Sequence, residues 1–206
     1  MKEKILNCTD DKEIIGIGTG STVEKFIKYL NKDKTYVASS YQTMIALHKY
    51  NLKTTPLALV SSVDLYIDGA DYFDNIGNLI KGKGGALTNE KLLCSMSREV
   101  MIIAQDYKFR DNFENCYVPI EIIPQSLNYI RSILVKTGLP FSLRTGTNKH
   151  GPVLTDNGNL IFDVKYNYEF INKIKNICGV VEHGYFEGSS YNVILEIFSK
   201  DLTRIN

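Results

Sequence analysis

Between Glu13 and Gln105, short apolar runs alternate with segments of helical spacing. No other property of the chain narrows its fold as much. Glu13 to Gly18 (EIIGIG) is an apolar run ended by glycine, the mark of a buried strand. Val23, Phe26, Ile27 and Leu30 then recur three and four residues apart, so residues 21 to 31 are expected to form an amphipathic helix. Thr35 to Ser39 (TYVAS) reads as the next strand and Tyr41 to Tyr50 as a helix. Asp64 to Asp68 (DLYID) is a strand, residues 85 to 97 a helix, and Val100 to Gln105 (VMIIAQ) another strand. Strands joined through helices build a parallel sheet with helices on both faces. The expected class is α/β.

The pattern changes near Tyr117. YVPIEIIP, residues 117 to 124, is an extended segment punctuated by prolines. Leu127, Ile130, Ile133 and Leu134 place a helix over Ser126 to Thr137. Ser142 to Thr145 (SLRT), a hairpin turn at Asn157-Gly158, and a strand over Asn159 to Val164 follow. A helix near 168 to 177 and a strand around Gly184 to Phe186 complete a small α+β unit. Tyr191 to Phe198 (YNVILEIF) is a last strand, suited to return to the first sheet. The expected division is residues 1–117 with 194–206 as one domain, and 118–193 as the other, at an oligomer interface.

A chain of 206 residues is long enough to bury such a core. Its net charge of +1 gives no electrostatic reason to expect nucleic acid or an anionic membrane as partner. No apolar run approaches the ~18 residues of a membrane span. The start, MKEKILNCTDDKE, lacks the apolar core of a signal peptide. Cys8, Cys94, Cys116 and Cys178 are far apart and form no CxxC pair. They read as reduced thiols, so a cytoplasmic protein is expected.

The chemistry concentrates at loops that follow strands. Gly16-Ile17-Gly18-Thr19-Gly20-Ser21-Thr22 joins the first strand to the first helix. Its glycines let backbone approach a ligand, and free N–H groups at a helix start favour an anion. A helix cap at Ser21 is the competing reading. A dinucleotide site would need an acidic residue ending the second strand, which instead ends at Ser39-Ser40. A P-loop would need Gly-Lys-Ser/Thr, and no lysine is present. A small phosphorylated molecule fits better. Asp68 and Asp71 flank a Gly-Ala turn at another strand end, where turn chemistry is the bland alternative. Asp64 and Asp74 read as turn or surface residues. Lys81-Gly82-Lys83-Gly84-Gly85 places two ammonium groups among glycines. Lys81 follows Leu79-Ile80 and is the better candidate for an inward cation; Lys83 is as easily a solvated one. Glu90 has Ala86, Leu87, Leu93 and Cys94 on its helix face, so its carboxylate is expected to be buried. A desolvated glutamate has a raised pKa and suits general-base work near neutrality; a salt-bridged structural glutamate is the alternative. Lys108 also follows a strand. His48, His150 and His183 are isolated and have no metal-ligand spacing.

Together these residues resemble the A-type ribose-5-phosphate isomerases over nearly the whole chain. The matching motifs are GIGTGST (16 to 22), DGAD (68 to 71), LIKGKGGAL (79 to 87), the NEK containing Glu90, Lys108, and TDNGN (155 to 159). The resemblance implies a Rossmann-like domain beside a small ferredoxin-like α+β domain. It implies interconversion of D-ribose 5-phosphate and D-ribulose 5-phosphate in the non-oxidative pentose phosphate pathway. It also implies no metal or other cofactor, a sugar phosphate as the small-molecule partner, and a homodimer or homotetramer. Carried onto this chain, the phosphate-loop residues are Thr19, Gly20, Ser21 and Thr22. The aspartate turn is Asp68, Gly69, Ala70 and Asp71, and the lysine-glycine loop is Lys81, Gly82, Lys83 and Gly84. The base is Glu90, and the substrate-binding lysine is Lys108. Three features depart from the family pattern. Tyr72 stands where an acidic residue is usual, Lys83 replaces a glycine, and the short N-terminus puts Lys2 and Lys4 in doubt as ligand contacts.

The expected mechanism is proton transfer through a cis-enediolate. Glu90 takes the C2 proton and returns it to C1, and Lys81 stabilises the developing oxyanion. Asp68 moves protons among the sugar oxygens, and Asp71 orients Lys81 or a hydroxyl. The sequence leaves open which cluster holds the phosphate. An amino-sugar phosphate deaminase and a sugar-phosphate sensor of the same fold family are the competing functions. A sensor of DNA-binding type would need a helix-turn-helix, and about a dozen residues ahead of the first strand do not supply one.

Overall fold

The structure, a computed structural model, describes residues 2–147 and 150–199. The chain begins with helix α1 (Lys2–Thr9), which buries Ile5 and Thr9. Then come β1 (Ile14–Ile17), α2 (Ser21–Ile27), β2 (Thr35–Ala38), α3 (Tyr41–Lys49), β3 (Lys53–Thr54) and β4 (Val63–Gly69). Two short strands follow, β5 (Tyr72–Phe73) and β6 (Leu79–Ile80), before α4 (Leu87–Met96) and β7 (Ser97–Gln105). The second half holds β8 (Tyr117–Ile122), α5 (Leu127–Thr137), β9 (Phe141–Leu143), β10 (Leu160–Lys165) and α6 (Tyr168–Ile174). It ends with β11 (Val180–His183), β12 (Tyr185–Phe186) and β13 (Val193–Phe198).

Six strands make one sheet in the order β13-β7-β4-β1-β2-β3, parallel at every pairing. Side chains alternate across it. On β4, Leu65 and Ile67 face a core with Val23, Phe26, Ile27 and Leu47. Val63 and Tyr66 face the opposite core, with Leu93, Cys94, Val100, Ile102 and Phe186. Each such aliphatic side chain, fully buried, contributes on the order of 1.5–3 kcal/mol. The chain builds outward from β1 through β2 to β3, then returns to place β4 on the other side of β1. That reversal opens a crevice at the carboxyl ends of β1 and β4.

A second sheet, β11-β8-β10-β9, is antiparallel, and α5 and α6 pack on it through Ile130, Leu134, Ile171 and Ile174. A third, β12-β6-β5, joins a strand of the second half to two of the first. The expected strand–helix alternation and the final strand's return beside β7 are both present. The strand expected around Gly184 to Phe186 is β12, and β11, just ahead of Gly184, is a strand the sequence did not signal. The Asn157-Gly158 turn closes with Gly158 N–H donating to Thr155 O at 2.9 Å, and β10 follows it. Among the described residues no strand precedes that turn directly; an isolated bridge joins Thr145 to Pro152. Among the described residues, no helix is long and apolar enough to cross a membrane.

Candidate active site

The site grows from the approach of two strand ends. Gly18 follows β1, and a Cβ built on it would lie 1.8 Å from Asp68 Cγ. Glycine therefore lets the Asp68 carboxylate tuck beneath the loop. That carboxylate is fully buried and takes four hydrogen bonds. Its Oδ1 accepts from the backbone N–H of Thr19 (3.2 Å) and of Gly69 (2.7 Å). Its Oδ2 accepts from Tyr66 Oη (2.5 Å) and Lys81 Nζ (2.6 Å). Thr19 Oγ1 lies 2.6 Å from Ser39 Oγ and donates to Ser40 Oγ at 2.7 Å, tying the first loop to the end of β2.

Lys81 leaves β6 pointing inward and is 3% exposed. Its Nζ donates to Asp68 and to Gly69 O (2.5 Å), and stands 3.4 Å from Glu90 Oε2. Burial alone would push this ammonium down; Asp68 and Glu90 outweigh it, and the net displacement is upward. Lys81 is therefore a fixed cation. Glu90 sits in the first turn of α4, 2% exposed, as its apolar helix face predicts. Its Oε2 receives no hydrogen bond. Desolvation pushes its carboxyl from 4.5 up to about 8, against the pull of Lys81 and with the push of Asp68 and Asp71. An unsatisfied buried carboxylate oxygen costs stability, so its retention points to use.

These groups border a cavity of about 250 Å³. Thr19, Gly20, Ser21 and Thr22 form one wall. Gly69, Ala70, Asp71, Lys81, Gly82, Lys83, Gly84, Glu90 and Lys108 form the rest. Every residue expected at the site lines it except Asp68, which lies beneath. Lys108 Nζ donates to Ala70 O at 2.7 Å, and burial pushes its ammonium down. Larger hollows exist, one of about 530 Å³ bordered by Asp71, Lys83 and Arg144. The smaller cavity is the one that a raised carboxyl, a buried cation and two glycine-rich loops line together, and that decides the choice. Among the described residues no cluster of His, Cys, Asp and Glu suited to a metal forms.

Gly82 and Gly85 carry the positive φ angles of the lysine-glycine loop, +94° and +85°, whereas Lys83 does not adopt one. Lys83 is thus accommodated without backbone strain, and its N–H donates to Asp71 Oδ2 at 2.9 Å. Tyr72 lies outside the cavity, its ring under the Arg110 guanidinium at 4.5 Å. Lys4 pairs with Glu196 and Lys2 lies over the Tyr29 ring, so neither is among the cavity's walls. Asp64 and Asp74 bind backbone N–H groups of neighbouring loops. His48 and His150 are exposed. Ser21 does not cap α2; Gly20 holds the cap position, without a side-chain bond.

Two residues of the site region escaped the sequence reading. Tyr66 is an aromatic in an apolar strand and reads as core. Arg144, in the SLRT stretch, reads as strand surface. Its guanidinium pairs with Asp163 and donates to Gly82 O (2.8 Å) and Lys83 O (3.1 Å), bracing the loop from the small sheet.

Fold and site define a class: an α/β protein with a buried acid–base centre for a small anionic molecule, at the switch point of a parallel sheet. The sequence model of the family described as ribose 5-phosphate isomerase A (phosphoriboisomerase A) matches residues 35–197. The ribose-5-phosphate isomerase A of Buchnera aphidicola is 37% identical over 212 residues, covering 98% of this chain and 92% of its own. That of Trichodesmium erythraeum is 35% identical over 85% of this chain and 80% of its own. A D-ribose-5-phosphate isomerase solved in complex with phospho-erythronic acid superposes with a TM-score of 0.88 at 33% identity, covering 97% and 93%. The ribose 5-phosphate isomerase A of Methanocaldococcus jannaschii gives 0.87 at 31%, covering 98% and 94%. The chain belongs to the ribose 5-phosphate isomerase A family.

Proposed function

We propose that this chain performs its family's reaction with Glu90 as the base, Lys81 as the oxyanion partner and Asp71 as the carboxylate that serves the sugar hydroxyls. The reaction is the interconversion of D-ribose 5-phosphate and D-ribulose 5-phosphate, a step of the pentose phosphate pathway. The observation that carries the residue roles is the buried Glu90 carboxylate at the cavity, its Oε2 without a hydrogen bond and 3.4 Å from Lys81 Nζ. In the open-chain aldose, Glu90 removes the proton on C2. The electron pair forms the C1–C2 double bond, and negative charge develops on O1. The Lys81 ammonium stabilises that charge. O1 gains a proton, O2 loses one, and Glu90 returns its proton to C1. The carbonyl has then moved from C1 to C2, with no net gain or loss of atoms or electrons.

Asp68 was expected to carry protons between sugar oxygens. Its four acceptor positions are occupied and it is 0% exposed, so we give it a different role, as the anchor of Lys81. Asp71 faces the cavity and takes over the proton traffic. Ser21, Thr22 and Lys108, with the N–H groups of the two loops, anchor the phosphate and hydroxyls. The phospho-erythronic acid held by a relative supports a phosphorylated, sugar-sized anion as ligand. The proposal keeps the two-domain division, residues 1–117 with 194–206 and 118–193; residues 200–206 lie outside the described residues. It keeps a cytoplasmic location, supported by four free cysteines. It also keeps a homodimer or homotetramer, supported by Tyr129 and Val135 on α5, 56% and 64% exposed. Sedimentation checks that state, and a monomer at working concentration would contradict it.

A coupled assay with ribose 5-phosphate, with and without a chelator, tests the function. Turnover that the chelator leaves unchanged is expected. No turnover would overturn the activity, and chelator-sensitive turnover would overturn the metal-free mechanism.

A further inference from the structure

We infer that Tyr66 is a positioning residue for the isomerisation, holding Asp68 so that Lys81 keeps its place at the cavity. The inference rests on the role given to Lys81 above. Tyr66 and Asp68 are two residues apart on β4, so both side chains leave the same face of the sheet. That face is otherwise apolar: Val63, Val100, Ile102, Leu93 and Phe186 surround it. Tyr66 is 0% exposed, and a phenolic hydroxyl placed there must find an acceptor. It finds Asp68 Oδ2 at 2.5 Å, the oxygen that also takes Lys81 Nζ at 2.6 Å.

The two donors on one oxygen complete a set. The backbone N–H groups of Thr19 and Gly69 occupy Oδ1. With Tyr66 present, every acceptor position of the carboxylate is in use, and its plane is fixed from both ends. Lys81 then spends two of its three protons on Asp68 Oδ2 and Gly69 O, leaving one for the side toward Glu90 and the cavity. Without the hydroxyl, Oδ2 has a vacant position. Lys81 is the nearest cation to fill it, and a second bond to Asp68 draws the ammonium away from the substrate.

The groups that face the hydroxyl come from three places: Asp68 on β4, Lys81 after β6, and Glu90 and Cys94 on α4. Burial first, then Asp68, Glu90 and Cys94, hold the phenol far above its ordinary range, so it is always a donor. Among the described residues, Tyr66 is the one whose hydroxyl donates to Asp68. A phenylalanine would keep the packing and lose only the bond.

Tyr66→Phe tests the inference. The expected result is a fall in kcat of about 10- to 100-fold, the size of one hydrogen bond to a charged group, with KM changed by less than about 3-fold. The thermal midpoint should move by only a few degrees. The decisive comparison uses Asp68→Asn. In that background Tyr66→Phe should cost less than about 2-fold, because the carboxylate it serves is gone. Equal losses in both backgrounds would mean that Tyr66 only supports packing, and unchanged kcat in Tyr66→Phe would also overturn the proposal. Should Tyr66→Phe fail to fold, Tyr66→Met, which also fills the site without a hydroxyl, takes its place in both backgrounds, and equal losses overturn the proposal as before. Wild-type turnover separates this inference from the one beneath it. An inactive wild type fails the proposed function, whereas an active wild type with an unaffected Tyr66→Phe fails only the role of Tyr66.

Discussion

Glu90 and Lys91 are neighbours in sequence on α4, both largely buried, and they enter two different charge clusters. Glu90 joins Asp68 and Lys81 on the cavity side. Lys91 turns toward the small sheet, where its Nζ donates to Glu182 Oε1 (2.9 Å), His183 O (2.6 Å) and Tyr185 O (2.8 Å). Lys175 pairs with the other oxygen of Glu182, and the Phe186 ring lies 4.7 Å from Lys91 Nζ. In the second cluster the Lys91 nitrogen spends its protons on the protein itself, and burial, with Lys175 beside it, pushes its ammonium down to about 7. In the first, Glu90 Oε2 accepts no hydrogen bond and has the Lys81 ammonium beside it at 3.4 Å, on a residue that lines a cavity. The difference separates a clamp from the group proposed to react. A satisfied buried charge stabilises one arrangement; an unsatisfied one is held ready for a ligand.

The clamp also serves the site. Gly184, between the two carbonyls that Lys91 binds, accepts the backbone N–H of Lys81 at 2.8 Å. A Cβ at Gly184 would come within 2.2 Å of Lys81 O, so this segment runs hard against Lys81.

The largest expected effect comes from breaking the reacting side. Glu90→Gln should lower kcat by about 10²- to 10⁴-fold while sugar phosphate still binds. Wild-type kcat/KM should rise with pH through about 8, since Glu90 must lose its proton to act and its carboxyl is raised to that range. A linkage argument gives the stability sign. A raised carboxyl stabilises the fold below its ordinary value of 4.5 and loses that contribution as pH rises through about 8. Glu90→Gln should therefore gain thermal stability relative to wild type as pH increases over that window.

Lys81→Met should cost about 10²- to 10³-fold in kcat. Because Lys81 holds the Glu90 carboxyl down, its removal should move the rising limb of the profile to higher pH. On the clamp side the balance reverses. Lys91→Met should destabilise the protein by about 3 kcal/mol, since it breaks a buried charge pair, yet lower kcat by less than about tenfold. A loss of activity as great as that of Lys81→Met, with stability unchanged, would erase the distinction between the two clusters. The smallest effect belongs to Lys83→Gly. Lys83 has an ordinary φ and supplies a backbone N–H that glycine also supplies, so kcat/KM should stay within about 3-fold.

Much of this was legible in the chain. The parallel sheet follows from strands and helices long enough to show their periods. Glu90 is exposed as a buried acid by its four apolar neighbours on the helix face. Other parts had no comparable signal. β5, β6 and β12 are two residues each, too short for alternation to register. Val180 to His183 carries a bulge and a buried Glu182, which disguise β11. Tyr66 sits where an aromatic ordinarily means packing, and only its distance to Asp68 shows otherwise. The difference between Asp68 and Asp71 on which their proposed roles rest was equally hidden. Sequence places both at a strand end, while burial and hydrogen bonds distinguish them.

The proton that Glu90 is proposed to remove can be followed directly. Ribose 5-phosphate carrying deuterium at C2 is incubated with wild type and with Glu90→Gln, each shown beforehand to bind the sugar phosphate. The account predicts that wild type releases the label to water or transfers it to C1 of ribulose 5-phosphate, while Glu90→Gln leaves it on C2. Loss of the label at an undiminished rate in Glu90→Gln would contradict it, since another group would then be the base.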